Sequence, residues 1–208
     1  RIAKWAKQQG MKVIYYISPQ VWAWKEGRVK MMKECIDKML VILPFEKEYY
    51  KKKWNWEVEY VGHPLVEVVE NHKSQAASRK LSDKKIVALL PGSRKQEILK
   101  KLPVMLEVSR SFSDYQFIVA KAPGVEESFY DNLLKPYPNV SYVSGLTYDL
   151  LQQSYAALVT SGTATLETAL FGVPEVVCYK GSPISYQIAK RVIKVKYISL
   201  VNLIMDKP

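Results

Sequence analysis

Residues 86–94 read Ile-Val-Ala-Leu-Leu-Pro-Gly-Ser-Arg, a strand-length apolar run that stops at a proline–glycine turn. A charged stretch with the character of a helix follows over 94–112. The next apolar run begins at residue 116, and the same succession of strand, short turn and helix continues along the chain. This alternation is the signature of a parallel sheet that is covered by helices, so the sequence predicts an α/β fold.

The chain from residue 84 onward predicts one doubly wound domain, because about five strands with intervening helices is the size of a nucleotide-type domain. The predicted strands are 86–90, 116–120, 140–143, 155–159 and 175–179. The predicted helices are 94–112, 125–134, 147–153, 163–171 and 184–193. A further strand-like stretch is expected shortly before the end of the chain at Lys207-Pro208.

The first part of the chain follows the same alternation with fewer strands. Apolar runs at 12–17, 39–43 and 58–61 enclose predicted helices at 26–37 and 45–53. A doubly wound domain usually needs about 100 residues or more. We therefore expect 1–62 to be the C-terminal part of a first Rossmann-like domain, in a chain that is a fragment. The alternative is a complete small α/β protein with an unusual first unit.

The polar segment 63–83 predicts an interdomain connection with a short helix near 65–70. Residues 84–208 then form the second Rossmann-like domain, expected to lack its last helices.

Composition restricts the function classes. The chain has 208 residues and a formal net charge of +11, and residues 1–80 hold 16 basic and 9 acidic side chains together with all five tryptophans. Positive charge attracts phosphate on nucleotides, nucleic acids or anionic lipids, although a solvated basic face is the simpler interpretation. Only Cys35 and Cys178 are cysteines, and His63 and His72 the histidines, which predicts a reduced, cytosolic, metal-free protein.

Two strand-to-helix turns could bind an anion. In the first turn, Gly92, a capping Ser93 and the bidentate guanidinium of Arg94 could converge on a phosphate, or Arg94 could pair with Glu97. In the second, Ser161, Gly162 and Thr163 leave a helix N-terminus open.

Glu167 falls one turn into the second helix and could accept hydrogen bonds from two ribose hydroxyls, or it could be solvated beside a capped helix. The motifs of P-loop NTPases, dinucleotide-binding domains, serine hydrolases, zinc proteases and nucleic-acid-binding modules are absent from the sequence.

Several motifs together resemble the lipid-A-disaccharide synthase family from about residue 11 to 204. They are Ser-Pro-Gln-Val-Trp-Ala-Trp at 18–24, Leu-Pro-Phe-Glu at 43–46, Val-Gly-His-Pro at 61–64, Leu-Pro-Gly-Ser-Arg at 90–94, Ser-Gly-Thr-Ala-Thr-Leu-Glu at 161–167 and Ser-Leu-Val-Asn-Leu at 199–203. The first and fourth are specific to that family, whereas the fifth is shared more widely among glycosyltransferases.

The resemblance implies a GT-B glycosyltransferase with two Rossmann-like domains, inverting and without metal or cofactor. It would transfer 2,3-diacylglucosamine from UDP-2,3-diacylglucosamine to 2,3-diacylglucosamine 1-phosphate, giving lipid A disaccharide 1-phosphate and UDP. The implied location is the cytoplasmic face of the inner membrane of a Gram-negative-type bacterium. An anionic membrane surface and a possible homodimer are the implied partners, without nucleic acid.

Residue by residue, the resemblance implies a UDP-binding set that includes the uracil-facing backbone of Gly145 and Leu146 and a donor-side Asn202. The full set is Gly92, Ser93, Arg94, Gly145, Leu146, Ser161, Gly162, Thr163, Glu167 and Asn202. Trp22 and Trp24 would shape the acceptor side or pack the domain, and His63 would have a structural role. The family's general base lies upstream of the matched part, so no catalytic residue is assigned and the chain alone is expected to bind UDP without turnover.

Two alternatives remain open at this point. One is another UDP-sugar enzyme of the same fold, such as a peptidoglycan glycosyltransferase or a UDP-sugar epimerase, which the Trp-containing motif at 18–24 disfavours. The other is a basic module that binds membranes or nucleic acid, which the two nucleotide-type turns and the missing recognition motifs disfavour.

Overall fold

The computed structural model describes residues 1–75, 80–180, 197 and 199–207. The chain divides into two compact units. The first contains residues 1–66, 197 and 202–207, and the second contains the described residues of 67–180 and 199–201. The division falls inside a helix, Pro64–Lys73, that lies in the predicted connection.

The first unit holds a three-stranded parallel sheet in the order β1-β2-β3. Its elements are α1 (Ile2–Gln8), β1 (Ile14–Tyr16), α2 (Arg28–Cys35), β2 (Lys38–Val41), α3 (Pro44–Trp54) and β3 (Glu59–Tyr60). The three predicted strands and two predicted helices are confirmed. Helix α1 was not predicted, and none of its residues is buried.

The core of the first unit forms where α2 and α3 cover the sheet. Val29, Met32 and Ile36 lie at helical spacing and are buried with Met39 and Val41 of β2. The apolar strand β1 differs, because all three of its residues are exposed at the edge of the sheet.

The second unit holds a five-stranded parallel sheet in the order β6-β5-β4-β7-β8. Its elements are α4 (Pro64–Lys73), β4 (Ile86–Leu90), α5 (Lys95–Ser109), β5 (Gln116–Lys121), α6 (Glu127–Leu134), β6 (Val140–Ser144), α7 (Thr147–Gln152), β7 (Ser154–Thr160), α8 (Thr163–Leu170) and β8 (Glu175–Cys178). All five predicted strands are confirmed. The helix predicted at 184–193 lies outside the described residues.

Helices pack on both faces of this sheet. Side chains alternate across a strand, so Ile86, Ala88 and Leu90 of β4 join a cluster with residues of α7, whereas Leu89 joins a cluster with residues of α5 and α6. This is the doubly wound arrangement that the sequence predicted, and it matches the predicted α/β class.

The strand order reverses between β4 and β7. From β4 the chain builds outward to β5 and β6, and it then returns to the other side of β4 as β7. In open α/β sheets ligands bind beyond the carboxyl ends of the strands at this switch point. The turns after β4 and β7 both lie there.

The strand-like character expected near the C-terminus does not extend to residues 200–205, which form a helix, α9 (Leu200–Met205). Residues 194–196 and 198 lie outside the described part of the chain. The Ser199 hydroxyl accepts the backbone N–H of Val201 at 3.2 Å, which satisfies one of the free donors at the start of the helix.

Candidate functional site

The turns after β4 and β7 border one cleft of about 280 Å³ in the second unit. The strands are hydrogen-bonded neighbours, with Leu90 opposite Val159, so their turns emerge side by side. We call this the turn cleft. Its lining residues are Leu90, Gly92, Ser93, Glu97, Ala120, Lys121, Ala122, Pro123, Thr147, Thr160, Ser161, Gly162, Thr163, Ala164 and Glu167. The structure thus brings six of the predicted donor-site residues together.

The first turn is occupied by the protein's own side chains. Gly92 has φ 115°, and a Cβ there would meet Oε2 of Glu97 at 2.8 Å, so the Glu97 carboxylate lies over this glycine. Nη1 of Arg94 donates to Oε1 of Glu97 at 3.1 Å, and the Arg94 side chain is 81% exposed. The ion pair that the sequence offered as the alternative role of Arg94 is therefore present, and Arg94 is not among the described residues that line the turn cleft.

The predicted cap of α5 is wrong by one residue. The helix begins at Lys95 and its N-cap is Arg94, which makes no side-chain capping bond, so Ser93 is not the cap. Arg94 is extended, with φ −107° and ψ 137°, and its carbonyl accepts the N–H of Glu97 at 2.8 Å. Ser93 is left exposed at the mouth of the turn cleft.

The second turn is open. Helix α8 begins at Thr163, its N-cap is Gly162, and no side chain caps it. The hydroxyl of Thr165 donates backward to the carbonyl of Gly162 at 2.8 Å and does not cover the helix start. The first N–H groups and the positive end of the helix dipole therefore face the turn cleft, which is the usual arrangement of an anion site.

A buried hydroxyl without a partner lies beside this helix start. Thr160 ends β7, is 6% exposed and lines the turn cleft. Its Oγ1 has no hydrogen-bond partner within the described part of the chain. Burying an unsatisfied hydroxyl costs about 1–3 kcal/mol, so this atom is a weak point beside the helix start.

The other buried oxygen without a partner in the described residues belongs to a different place. Oε2 of Glu175 lies at the opposite end of the sheet, at the start of β8. Burial raises the pKa of Glu175 to about 7. Its burial therefore has no bearing on the turn cleft.

Glu167 separates the turn cleft from a second hollow. It also lines that hollow, of about 400 Å³, with His72, Gly145, Thr147, Tyr148 and Asp149. We call it the Tyr148 hollow. The Tyr148 hydroxyl donates to Oε1 of Glu167 at 2.9 Å. The carboxylate therefore stands between two adjoining spaces and can accept hydrogen bonds from a ligand that spans them.

Of the two residues predicted to face a base, Gly145 lines the Tyr148 hollow, whereas Leu146 is not among its described lining residues. Gly145 follows β6 with φ 69° and lines the Tyr148 hollow. Leu146 is the N-cap of α7, and its half-buried side chain packs on the core. A position with φ 69° favours glycine, because glycine has no Cβ that would collide with the backbone at this angle.

Sequence reasoning missed Lys121, Thr147 and Thr160. Lys121 ends β5 inside the turn cleft, its side chain is 10% exposed, and its Nζ lies 3.0 Å from Oε1 of Glu127. The available signal was position, since each of these residues stands where a predicted strand ends or the next helix begins.

The remaining predicted residues belong to the first unit. Nδ2 of Asn202, on α9, donates to the Lys207 carbonyl at 2.9 Å, and Asn202 is not among the described residues of the turn cleft. Nδ1 of His63 accepts the N–H of Leu65 at 3.2 Å, and burial lowers the pKa of His63.

The two tryptophans of the motif at 18–24 differ. Nε1 of Trp22 donates to the buried Glu46 at 3.1 Å, and its ring meets Phe45 edge-on at 5.0 Å. Trp24 is 46% exposed and carries Nζ of Lys25 at 4.3 Å from its ring centroid. Trp22 therefore packs the first unit, whereas Trp24 presents an aromatic face to its surroundings.

No group of three histidine, cysteine, aspartate or glutamate side chains in the described residues could hold a metal ion. In the same part of the chain, no helix has both the length and the apolar character needed to cross a membrane.

The family model and the curated relatives that match this chain agree on one family. The family model described as "Lipid-A-disaccharide synthetase" matches residues 1–208. The chain is 43% identical to lipid-A-disaccharide synthase of Syntrophus aciditrophicus over 99% of its own length and 56% of that protein. It is 40% identical to the Aquifex aeolicus enzyme over 100% of its length and 58% of that protein. The chain thus spans just over half the length of these curated relatives.

Solved structures show the same fold at low identity. S. aureus MnaA, solved with UDP, has a TM-score of 0.62 and 12% identity, covering 97% of this chain and 60% of that one. The wall teichoic acid polymerase TagF has a TM-score of 0.50 and 15% identity, covering 90% of this chain and 48% of that one. Both similarities concern the fold alone.

Proposed function

The chain belongs to the lipid-A-disaccharide synthetase family, and from that premise we propose that its second unit is the UDP-sugar site of a lipid A disaccharide glycosyltransferase. The reaction is an inverting transfer of 2,3-diacylglucosamine from UDP-2,3-diacylglucosamine to 2,3-diacylglucosamine 1-phosphate. Its products are lipid A disaccharide 1-phosphate and UDP.

The observation that carries this proposal is the combination at the second turn. The uncapped N-terminus of α8, Thr160 and Glu167 border one cleft, and the Thr160 hydroxyl has no partner among the described residues. The first two suit the diphosphate, because both offer donors to an anion. The third suits the ribose, because a carboxylate accepts hydrogen bonds from hydroxyl groups.

The donor extends from the turn cleft past Glu167 into the Tyr148 hollow. The diphosphate lies against Ser161, Gly162 and Thr163, and the uracil lies near the backbone of Gly145 and Leu146. The order diphosphate, ribose, base along UDP matches the order turn cleft, Glu167, Tyr148 hollow. Lys121, whose Nζ lies 3.0 Å from Oε1 of Glu127, is the one basic residue among the described residues that line the turn cleft.

Arg94 takes part only after a rearrangement. Its guanidinium is paired with Glu97, and an exposed pair of this kind contributes about 0–1 kcal/mol. A diphosphate carries more negative charge than one carboxylate and accepts a bidentate guanidinium. We infer that Arg94 leaves Glu97 when the donor binds. The backbone of Gly92 and Ser93 then lies close to the diphosphate.

The sugar-transfer step needs a base that takes the proton from the attacking 6-hydroxyl. By family resemblance we place that base in the first domain of the family. We propose Asn202 for the donor sugar and Trp24 for the acceptor side, as the family resemblance suggests.

The first unit is the membrane-facing part in this proposal. Residues 1–80 hold 16 basic and 9 acidic side chains together with all five tryptophans. Aromatic and basic side chains together suit an anionic membrane surface. We therefore propose peripheral attachment at the cytoplasmic face of the inner membrane, where diacylated substrates are dissolved. From the family resemblance we also propose a homodimer in the enzyme.

Calorimetric titration of the purified protein with UDP, and with GDP as the control, tests the nucleotide site. We expect UDP to bind at least ~10-fold more tightly than GDP, since a difference of this size is about 1.4 kcal/mol. Diacylated UDP-glucosamine should compete with UDP at the same site. Equal binding of UDP and GDP by a folded protein would contradict the proposal.

A further inference from the structure

Tyr148 connects three helices at the edge of the turn cleft. It is the second residue of α7, and its ring centroid lies 5.4 Å from that of His72 on α4 and 5.4 Å from that of Phe171, which follows α8. His72 and Phe171 also meet, at 6.1 Å. The three rings therefore fix the plane of the phenol.

Two further contacts hold this cluster in place. Nε2 of His72 lies 4.0 Å from Oδ2 of Asp149, whose side chain is 11% exposed. Nζ of Lys73 donates to the carbonyl of Leu170 and lies 5.6 Å from the ring centroid of Phe171. Helix α4 is thus tied to α7 and to the end of α8, so the Tyr148 ring has little freedom to reorient.

The Tyr148 hydroxyl has one direction in which to donate. It bonds to Oε1 of Glu167 at 2.9 Å, and its pKa is raised to about 12 by burial and by the Glu167 carboxylate. The hydroxyl stays protonated near neutral pH and remains a donor. A carboxylate has two oxygens with about four acceptor positions, so this bond fixes the direction in which the remaining positions point.

We propose that Tyr148 is a positioning residue, which orients Glu167 so that its carboxylate accepts both ribose hydroxyls and the site prefers ribonucleotides to 2′-deoxyribonucleotides. The inference rests on the proposed function, because it takes Glu167 as the ribose acceptor. Beyond the proposed function, it assigns a role to Tyr148, which does not itself touch the ribose. It also assigns the site a preference for ribonucleotides.

The test compares the dissociation constants of UDP and 2′-deoxy-UDP by calorimetry for the wild-type protein and for Tyr148→Phe. We expect the wild type to favour UDP ~10-fold, which is the size of one charged hydrogen bond. Tyr148→Phe should lower this preference to ~2-fold, while the affinity for 2′-deoxy-UDP changes little. Tyr155→Phe, which alters an exposed tyrosine of β7, is the matched control and should retain the wild-type preference.

The ratio of the two constants separates positioning from folding. A partly unfolded variant loses apparent affinity for both nucleotides equally, so its ratio does not move. As a second variant, Tyr148→Phe in a Glu167→Ala background should leave the ratio unchanged, because the residue that Tyr148 positions is gone.

Two results would overturn the inference. One is that Tyr148→Phe keeps the wild-type ratio of the dissociation constants for UDP and 2′-deoxy-UDP. The other is that Tyr148→Phe changes this ratio by the same factor in the wild-type protein and in the Glu167→Ala background. Both leave UDP binding intact and therefore spare the proposed function. Failure of the wild type to prefer UDP to GDP would instead remove the proposed function.

Discussion

The two turns at the switch point of the second unit look alike in sequence and differ in the folded chain. Each follows one of two neighbouring strands, contains a glycine and leads into a helix with a glutamate near its start. The first turn is filled by Glu97, which lies over Gly92 and pairs with Arg94. The second turn has an uncapped helix start beside the buried Thr160 hydroxyl, which has no partner in the described part of the chain.

The position of the glutamate in its helix explains the difference. Glu97 is the third residue of α5, from which a side chain reaches back over the preceding turn, as in a capping box. Glu167 is the fifth residue of α8, more than one turn into the helix, where it lies beside the cleft. An anion can therefore enter the second turn directly, but at the first turn it must displace a carboxylate.

Removing the carboxylate of the second turn should have the largest effect. Glu167→Ala is expected to weaken UDP binding ~10- to 100-fold, because it removes hydrogen bonds between a charged group and the ribose. Calorimetry measures this change. Glu70→Ala, which alters an exposed glutamate of α4, is the control. A loss of folding in place of affinity would mean that Glu167 only supports the helix.

Removing the cation of the first turn should have a smaller effect. Arg94→Ala is expected to weaken UDP binding ~10-fold, because the exposed guanidinium must first leave Glu97 before it meets the diphosphate. Arg94→Lys should recover part of the loss, since an ammonium group cannot bind bidentately.

Arg110→Ala is the matched control for Arg94→Ala, because Arg110 also pairs with a glutamate three residues away, Glu107. We expect its UDP affinity to equal that of the wild type. A loss in Arg94→Ala no larger than that in Arg110→Ala would show that the first turn takes no part in binding.

Neutralising Glu97 should make the first turn resemble the second. Glu97→Gln is expected to raise UDP affinity ~3-fold, because it removes a competing charge and releases Arg94 from an exposed pair that is worth about 0–1 kcal/mol. Glu48→Gln breaks the exposed Glu48–Lys52 pair of α3 and is the control. Weaker UDP binding in Glu97→Gln would mean that the ion pair holds Arg94 in its binding position.

The smallest change concerns the buried hydroxyl. Thr160→Val should weaken UDP binding ~2-fold yet raise stability by about 1 kcal/mol, because it removes an unsatisfied polar group. Thermal melting and calorimetry give the two values. In Thr168→Val the lost hydroxyl donates to the carbonyl of Ala164 at 2.8 Å, so that control should not gain stability. Equal stability changes in both variants would indicate that the Thr160 hydroxyl is satisfied.

Much of the fold could be predicted because its signals are local. Apolar runs such as 86–90 and 116–120 are bounded by turn residues, and all eight strands predicted before residue 180 are present in the structure. The errors occurred where local signals are weak or ambiguous. Helix α1 buries no residue, and Ser93 lies one position before the actual N-cap of α5. The apolar run at 200–205 forms helix α9, and the Ser199 hydroxyl accepts a backbone N–H at its start.

The sequence by itself determined the alternation of strands and helices and the positions of both turns, because the apolar runs stop at Pro91 and Ser161. It also determined the family, through motifs that are contiguous in the chain. Only the tertiary structure decided what surrounds those turns. The strand order β5-β4-β7 brings Lys121 and Thr160 into one cleft, and packing of α7 against α8 joins Tyr148 to Glu167. These residues are distant in sequence, so no local pattern could reveal their contact.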